Sequence, residues 1–289
     1  MKPALRLLCP VLLCALFQTS LQAQAPSSTP PQAANPQQAP PSYLPPRNPT
    51  ALAGPVPINE EPRHRLLLQN DFTHVYNLMI PSLDFTLPHQ HDLPYLYITL
   101  GPADIINAIA GQPELHQVLE DGETHYTPGN FTHVVRTDSG VPYHDITVEL
   151  VRPQGTAKNF CKEVMPGQPT DCPQQQIARN NGRAKKTAAD PVTDPVPCFE
   201  TDEIRVDLYK VASASDYVDA APKVDALLIA LNNANLDANL AGEHISFLHG
   251  GDVLWMPAGQ HRRIVDFLGT HSSFLLISFK DGTPRPSAQ

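Results

Sequence analysis

The pair His89-Gln90-His91 and the later run Gly122-Glu123-Thr124-His125-Tyr126-Thr127-Pro128-Gly129-Asn130-Phe131-Thr132-His133 decide how this chain is read. Successive side chains of a strand point to opposite faces, so H-x-H puts both rings on one face, close enough to chelate one ion. Gln90 then points away. Gly122 and Pro128-Gly129 are turn residues, and they bend the chain so that His133, on a later strand, returns to the pair. His89, His91 and His133 are therefore the candidate metal ligands.

Outward from this stretch the texture is that of short strands. Segments 72–80, 83–87, 95–100, 104–110, 114–119, 131–137 and 143–151 are rich in β-branched and aromatic residues and separated by Pro, Gly and Asp turns. The texture resumes at 204–209, 226–231, 244–249, 252–256, 263–267 and 273–279. Many short strands with no helical period between them predict an all-β sandwich or barrel. The second set repeats the first. Tyr95-Leu96-Tyr97-Ile98-Thr99-Leu100 aligns with Ala226-Leu227-Leu228-Ile229-Ala230-Leu231, and Gly122 and Pro128 align with Gly251 and Pro257. The chain reads as a two-copy internal repeat.

These residues resemble the cupin superfamily. Gly251-Asp252-Val253-Leu254-Trp255-Met256-Pro257-Ala258-Gly259 is similar to its second motif, G(X)5PXG(X)2H. The run Gly122 to His133 is similar to the same motif with its second glycine one place early, at Gly129, and Asn130 where glycine is expected. Asparagine tolerates positive φ better than most residues. The resemblance implies two cupin-type β-barrels, over residues 58–151 and 200–289, and little about activity, since the superfamily hosts oxygenases, isomerases, storage proteins and ligand sensors.

The first cupin motif keeps His89 and His91 but has Leu83 at its opening glycine and Tyr95 or Leu96 at its glutamate ligand. What remains resembles the three-histidine sites of thiol dioxygenase-type cupins. Such a neutral set implies Fe(II) first, by resemblance, with Zn, Ni or Cu also suited to imidazole. Three nitrogens leave positions for water or substrate. In the second copy the alignment puts Ala220, Pro222 and Arg262 at the ligand positions, with His261 one residue off and so turned to the opposite face. That barrel is expected to be metal-free.

Around the site, Tyr95 is a candidate to support a ligand from behind. His125 is expected in a solvent-facing turn, and 260–263 (Gln-His-Arg-Arg) on a solvated basic strand. Asp92 is expected to point outward and Glu123 to lie in a turn, so no clear acid or base partner is visible. Phe85, Tyr97 and Phe131 are expected to line an apolar cavity.

The ends and the middle carry other signals. Lys2 and Arg6, an apolar run over 7–17 and Leu21-Gln22-Ala23 read as a signal peptide over 1–23, with the mature chain beginning at Gln24 and secreted or periplasmic. Apart from it no stretch is long enough to span a membrane. Residues 24–57 are Pro, Gln, Ala and Ser with almost no large apolar side chain, so they are expected to be a disordered linker. Residues 152–199 are expected to form a polar insertion containing Cys161 and Cys172. Of five cysteines, three survive removal of the signal; proximity favours Cys161 with Cys172 and leaves Cys198 free, though spacing leaves other pairings open. A net charge of −9 over 289 residues argues against nucleic acid as a partner. A small-molecule ligand is expected instead. Two functions stand at this point: a metal-dependent oxygenase or isomerase, or a non-catalytic ligand-binding or structural protein.

Overall fold

Among the described residues, ten strands build the first half of the protein: β1 (Val56–Pro57), β2 (His64–Gln69), β3 (Thr73–Ile80), β4 (His89–His91), β5 (Tyr95–Thr99), β6 (Ala103–Ile109), β7 (Leu115–Leu119), β8 (Thr124–Thr127), β9 (Phe131–Arg136) and β10 (Tyr143–Leu150). Ten more build the second: β11 (Lys158–Asn159), β12 (Val196–Glu200), β13 (Ile204–Lys210), β14 (Tyr217–Ala220), β15 (Ala226–Ala230), β16 (Ala234–Asp237), β17 (Ile245–Leu248), β18 (Val253–Met256), β19 (Arg262–Val265) and β20 (Ser273–Phe279). This computed structural model describes residues 54–172, 195–211, 217–220, 223–237, 245–260, 262–265 and 271–280. The expected signal segment, nearly all of the Pro-rich linker, Pro222 and His261 lie outside those residues.

The repeat is visible in strand order. The first barrel has sheets β1-β4-β9-β6-β7 and β2-β3-β10-β5-β8; the second has β14-β19-β16-β17 and β11-β12-β13-β20-β15-β18. Adding ten to each label of the first barrel, β1 aside, gives the second. Even an irregularity repeats: β2 shifts register between Leu66 and Leu68, and β12 between Pro197 and Phe199.

One sheet of each barrel is buried on both faces. Along β10, Ile146, Val148 and Leu150 join Leu96 and Ile98 of β5 in a core that also takes Val206, Leu227, Ile229, Leu275 and Ile277 from the second barrel. Tyr143, Asp145, Thr147 and Glu149 occupy the alternate positions, on the other face of β10. Residues buried on both faces read as continuous apolar runs, which is why all five residues of β15, Ala226–Ala230, are buried. Each large side chain so removed from water contributes about 1.5–3 kcal/mol. The second barrel's own interior is filled by Leu228, Met256, Ile264, Phe274 and Leu276.

Two stretches depart from their reading. Residues 83–87 make only a single bridge, Phe85 to Arg136; Leu83 has φ 60°, a backbone that cannot continue a strand and that stands where the resembled motif has glycine. Residues 152–172, expected to be a surface insertion, pack in part against the core between the barrels, where Val164 is buried and accepts a hydrogen bond at its carbonyl from Tyr126 N, 2.9 Å. Cys161 and Cys172 form a disulfide and Cys198 is free and buried.

Candidate metal centre

Strand alternation and one tight turn assemble the histidines. β4 lies antiparallel to β9 with His89 opposite His133 and His91 opposite Phe131. His89 and His91 are buried while Gln90 is half-buried and accepts a hydrogen bond from the Thr132 hydroxyl. The turn before β9 needs its residues. Gly129 has φ 72° and Asn130 φ 62°, and a Cβ on Gly129 would stand 2.0 Å from the Leu93 carbonyl oxygen. Glycine is required there by contact as well as by backbone angle.

A fourth imidazole joins them. The ligand nitrogens of His64, His89 and His91 lie within 4.8 Å of one another, and His133 Nε2 is 2.9 Å from His89 Nε2. Three of the rings are held by acceptors that cannot donate. His64 Nδ1 meets Glu61 Oε2 at 2.7 Å, His89 Nδ1 the Leu87 carbonyl at 2.9 Å, and His133 Nδ1 the Asn107 Oδ1 at 2.9 Å. In each, Nδ1 must carry the hydrogen, which leaves Nε2 with its lone pair, the tautomer a metal ligand requires. His91 Nδ1 lies 3.4 Å from Glu149 Oε1, too long for a good hydrogen bond, and remains without a partner.

The contact between His89 and His133 decides what this set fits. Burial, then the field of His64, holds His89 down at about 4. Burial, then the neighbouring rings, holds His91 and His133 well below the usual imidazole range. Both rings of the pair are then neutral at pH 7, and two lone pairs face each other at 2.9 Å. A shared cation removes that repulsion. Imidazole nitrogens are ligands for such an ion. The donor set fits a divalent transition ion.

His64 was not legible as a member of this cluster. Its only local signal is Glu61-x-x-His64 ahead of the apolar run Leu66-Leu67-Leu68; what brings it in is Glu61, in the turn after the 3₁₀ turn Ile58–Glu60. Glu61 accepts from Leu87 N (3.0 Å), Arg63 N (2.9 Å) and His64 Nδ1. Burial alone would raise this carboxyl, but the His64 hydrogen bond and field outweigh it and its pKa is lowered.

Acid and base partners are present too, on β10 rather than beside the histidine motif. Asp145 accepts a hydrogen bond from Thr147 Oγ1 at 2.9 Å, and burial pushes it up to about 6 despite this and the Tyr143 bond. Burial, then the charge of Asp92, pushes Glu149 up to about 7. The signal was polar alternation, Tyr143, Asp145, Thr147 and Glu149, in a strand otherwise made of Ile146, Val148 and Leu150.

The remaining candidates fall as follows. Tyr95 is buried and stacks on His91, ring centroids 4.1 Å apart and planes 21° apart. His125 is not in a solvent-facing turn: it is buried on β8, stacked on Tyr97 at 4.8 Å, with Nε2 2.7 Å from Glu123 Oε1. Asp92 is exposed, as expected. The inner cavity beside His64, His91 and His133 takes apolar walls from Leu78, Ile105, Val135 and Tyr97 and polar groups from Gln117 and Asp145; of the three expected lining residues Tyr97 is there, and Phe85 and Phe131 are not among those that line it. Its volume is about 30 Å³, room for one or two waters. A larger groove of about 550 Å³ opens on the other side of His64 and reaches Glu149.

Solved structures share this fold over most of the chain. Salicylate 1,2-dioxygenase from Pseudaminobacter salicylatoxidans superposes with a TM-score of 0.51 at 11% identity, over 75% of this chain and 76% of that one. Its gentisate-adduct structure gives 0.52 at 13% identity, over 78% and 75%. AerE from Microcystis aeruginosa gives 0.48 at 10% identity, over 76% and 99%. This is the two-barrel cupin fold. No protein-family model and no curated protein matches the sequence. Ala220 lies opposite Arg262 where the first barrel has His89 opposite His133.

Proposed function

We propose that the first barrel binds one divalent transition ion through His89, His91 and His133, with His64 as a fourth donor, and handles a small organic molecule beside it. The observation that carries this is the 2.9 Å approach of the His89 and His133 Nε2 atoms with both Nδ1 atoms already committed. His89, His91, His133 and His64 would hold the ion, and the cavity that Tyr95, Tyr97 and Asp145 help to line lies beside them. Iron comes first by resemblance, with zinc, nickel and copper also matched to imidazole. Bound there, the ion supplies Lewis acidity and, if iron or copper, a redox couple.

The chain's own residues do the rest. Glu61, the Leu87 carbonyl and Asn107 fix the rings; Tyr95 buttresses His91; Asp145, raised to about 6, can hold or release a proton near neutral pH inside the cavity. Oxygenase or isomerase chemistry is the reading that uses all of these. A second reading, ligand binding without turnover, is favoured by one observation: Tyr95 or Leu96 stands where the resembled motif has its glutamate ligand. Cobalt substitution separates them. On adding azide, the visible spectrum of the Co(II)-loaded chain should change if positions are open; an unchanged spectrum supports the non-catalytic reading.

We also propose that the protein is exported and that its mature form begins near Gln24. Amino-terminal sequencing of the secreted form tests this, and a retained Met1 contradicts it. Among the described residues no helix is long and apolar enough to cross a membrane.

A further inference from the structure

Of the four rings, His91 alone has no hydrogen-bond partner at Nδ1 among the described residues, although it is buried. A neutral imidazole held by no acceptor can carry its hydrogen on either nitrogen, and only one choice leaves the lone pair on Nε2. What faces His91 Nδ1 is a carboxyl group. Glu149 Oε1 lies 3.4 Å away, and both side chains are buried.

The sheet puts Glu149 there. On β10 it is registered opposite His74 of β3 on one side and Tyr95 of β5 on the other. The three side chains therefore share one face, with directly opposed Cβ atoms about 4.5–5.5 Å apart. His91 arrives from the other sheet, on β4. Tyr95 covers the face of its ring, centroids 4.1 Å apart, while Glu149 meets its Nδ1 edge and turns its other oxygen to His74 Nδ1 at 3.5 Å. Tyr95 or Leu96 stands where the resembled motif has glutamate; here a carboxyl group reaches His91 from the neighbouring strand instead.

A lone pair on Nδ1 would be repelled by this carboxylate, and an N–H is attracted to it. At 3.4 Å the preference is that of a dipole in the field of a charge rather than of a short hydrogen bond. It selects the tautomer that Glu61, the Leu87 carbonyl and Asn107 select in the other three rings. We propose that Glu149 is the positioning residue of His91, holding the hydrogen on Nδ1 so that Nε2 is offered to the ion, and that it acts through the histidine rather than as a ligand. The proposal rests on reading the four histidines as the metal set.

The test compares wild type with Glu149→Gln at about pH 8, above the value of about 7 to which burial and Asp92 raise Glu149. Heteronuclear NMR of the metal-free full chain with isotope-labelled histidine reads the tautomer of each ring, and the His91 signals are assigned by their loss in His91→Asn. In wild type His91 should be protonated at Nδ1. In Glu149→Gln, whose amide offers a donor as well as an acceptor, the ring should shift toward a mixture of tautomers. Affinity for Co(II), by competition with a chromophoric chelator, should fall about 10–100-fold. The visible bands of the Co(II)-loaded variant should stay in place, because the ligands are the same. The urea midpoint of the metal-free chain should not drop, since a neutral isostere replaces a buried carboxyl group that makes only long contacts. The proposal is overturned by an unchanged His91 tautomer, by an unchanged affinity, or by an affinity loss that tracks destabilisation of the metal-free chain. Shifted cobalt bands would overturn it too, by making Glu149 a ligand. A wild-type chain that takes up no cobalt overturns the metal reading and the proposal with it, whereas a chain that takes up cobalt but whose His91 tautomer is indifferent to Glu149 overturns the proposal alone.

Discussion

Asp145→Asn isolates the buried carboxyl in the first barrel through the pH dependence of stability. Burial raises Asp145 from 3.8 to about 6, so between those values the folded protein holds a proton that the unfolded chain has lost. Stability then falls as pH rises: the contribution is fully present below the unfolded pKa and gone above the folded one. A shift of about two units corresponds to about 3 kcal/mol. The histidines work in the opposite direction. Their folded pKa values are lowered, so the unfolded chain binds more protons and stability rises with pH over an overlapping range. The wild-type profile mixes both, and the variant removes only the first, since asparagine keeps an acceptor for the Thr147 hydroxyl. Urea unfolding of chelator-treated wild type and Asp145→Asn, from about pH 4 to about pH 8, gives the difference. Wild-type stability minus variant stability should decline by about 2.4 kcal/mol across that range, most of it below about pH 6. A flat difference would show that Asp145 is not buried as a proton-holding acid.

Glu61→Gln should lower affinity for the ion by about 10–100-fold, measured by competition with a chromophoric chelator, because an amide cannot accept all three hydrogen bonds that fix the loop and His64. Leu96→Ala should cost about 2–5 kcal/mol in urea unfolding yet leave metal content unchanged, since Leu96 packs between the barrels rather than against the histidines. Cys161→Ser opens a loop with a separation of 11 residues and should cost up to about 3 kcal/mol; Cys198→Ser should leave the Cys161–Cys172 bridge formed, read by thiol counting.

What was legible in the sequence depended on local geometry. The H-x-H alternation, the demand for positive φ at Gly129 and Asn130, and the repeat that sets Ala220 against Arg262 are each written in neighbouring residues, and the structure places them as read. His64 was hidden because its partnership with His89 is made across space by Glu61, and no spacing encodes it. Asp145 and Glu149 were hidden differently: their polar alternation was in plain view, but a polar face inside a barrel and one in solvent look alike along a strand. Val164 was missed because a polar, proline-bearing segment gives no periodic signal for the one apolar residue that docks between barrels.

The most direct test of the account is metal content. The full chain, purified without chelators and offered Fe(II), Zn, Ni, Mn and Cu in turn, should hold one divalent ion per chain by elemental analysis, because Ala220 and Arg262 give the second barrel no equivalent set. His89→Ala and His133→Ala should each lose it while the circular dichroism of the fold is retained. A wild-type chain that retains none of these ions would contradict the central claim.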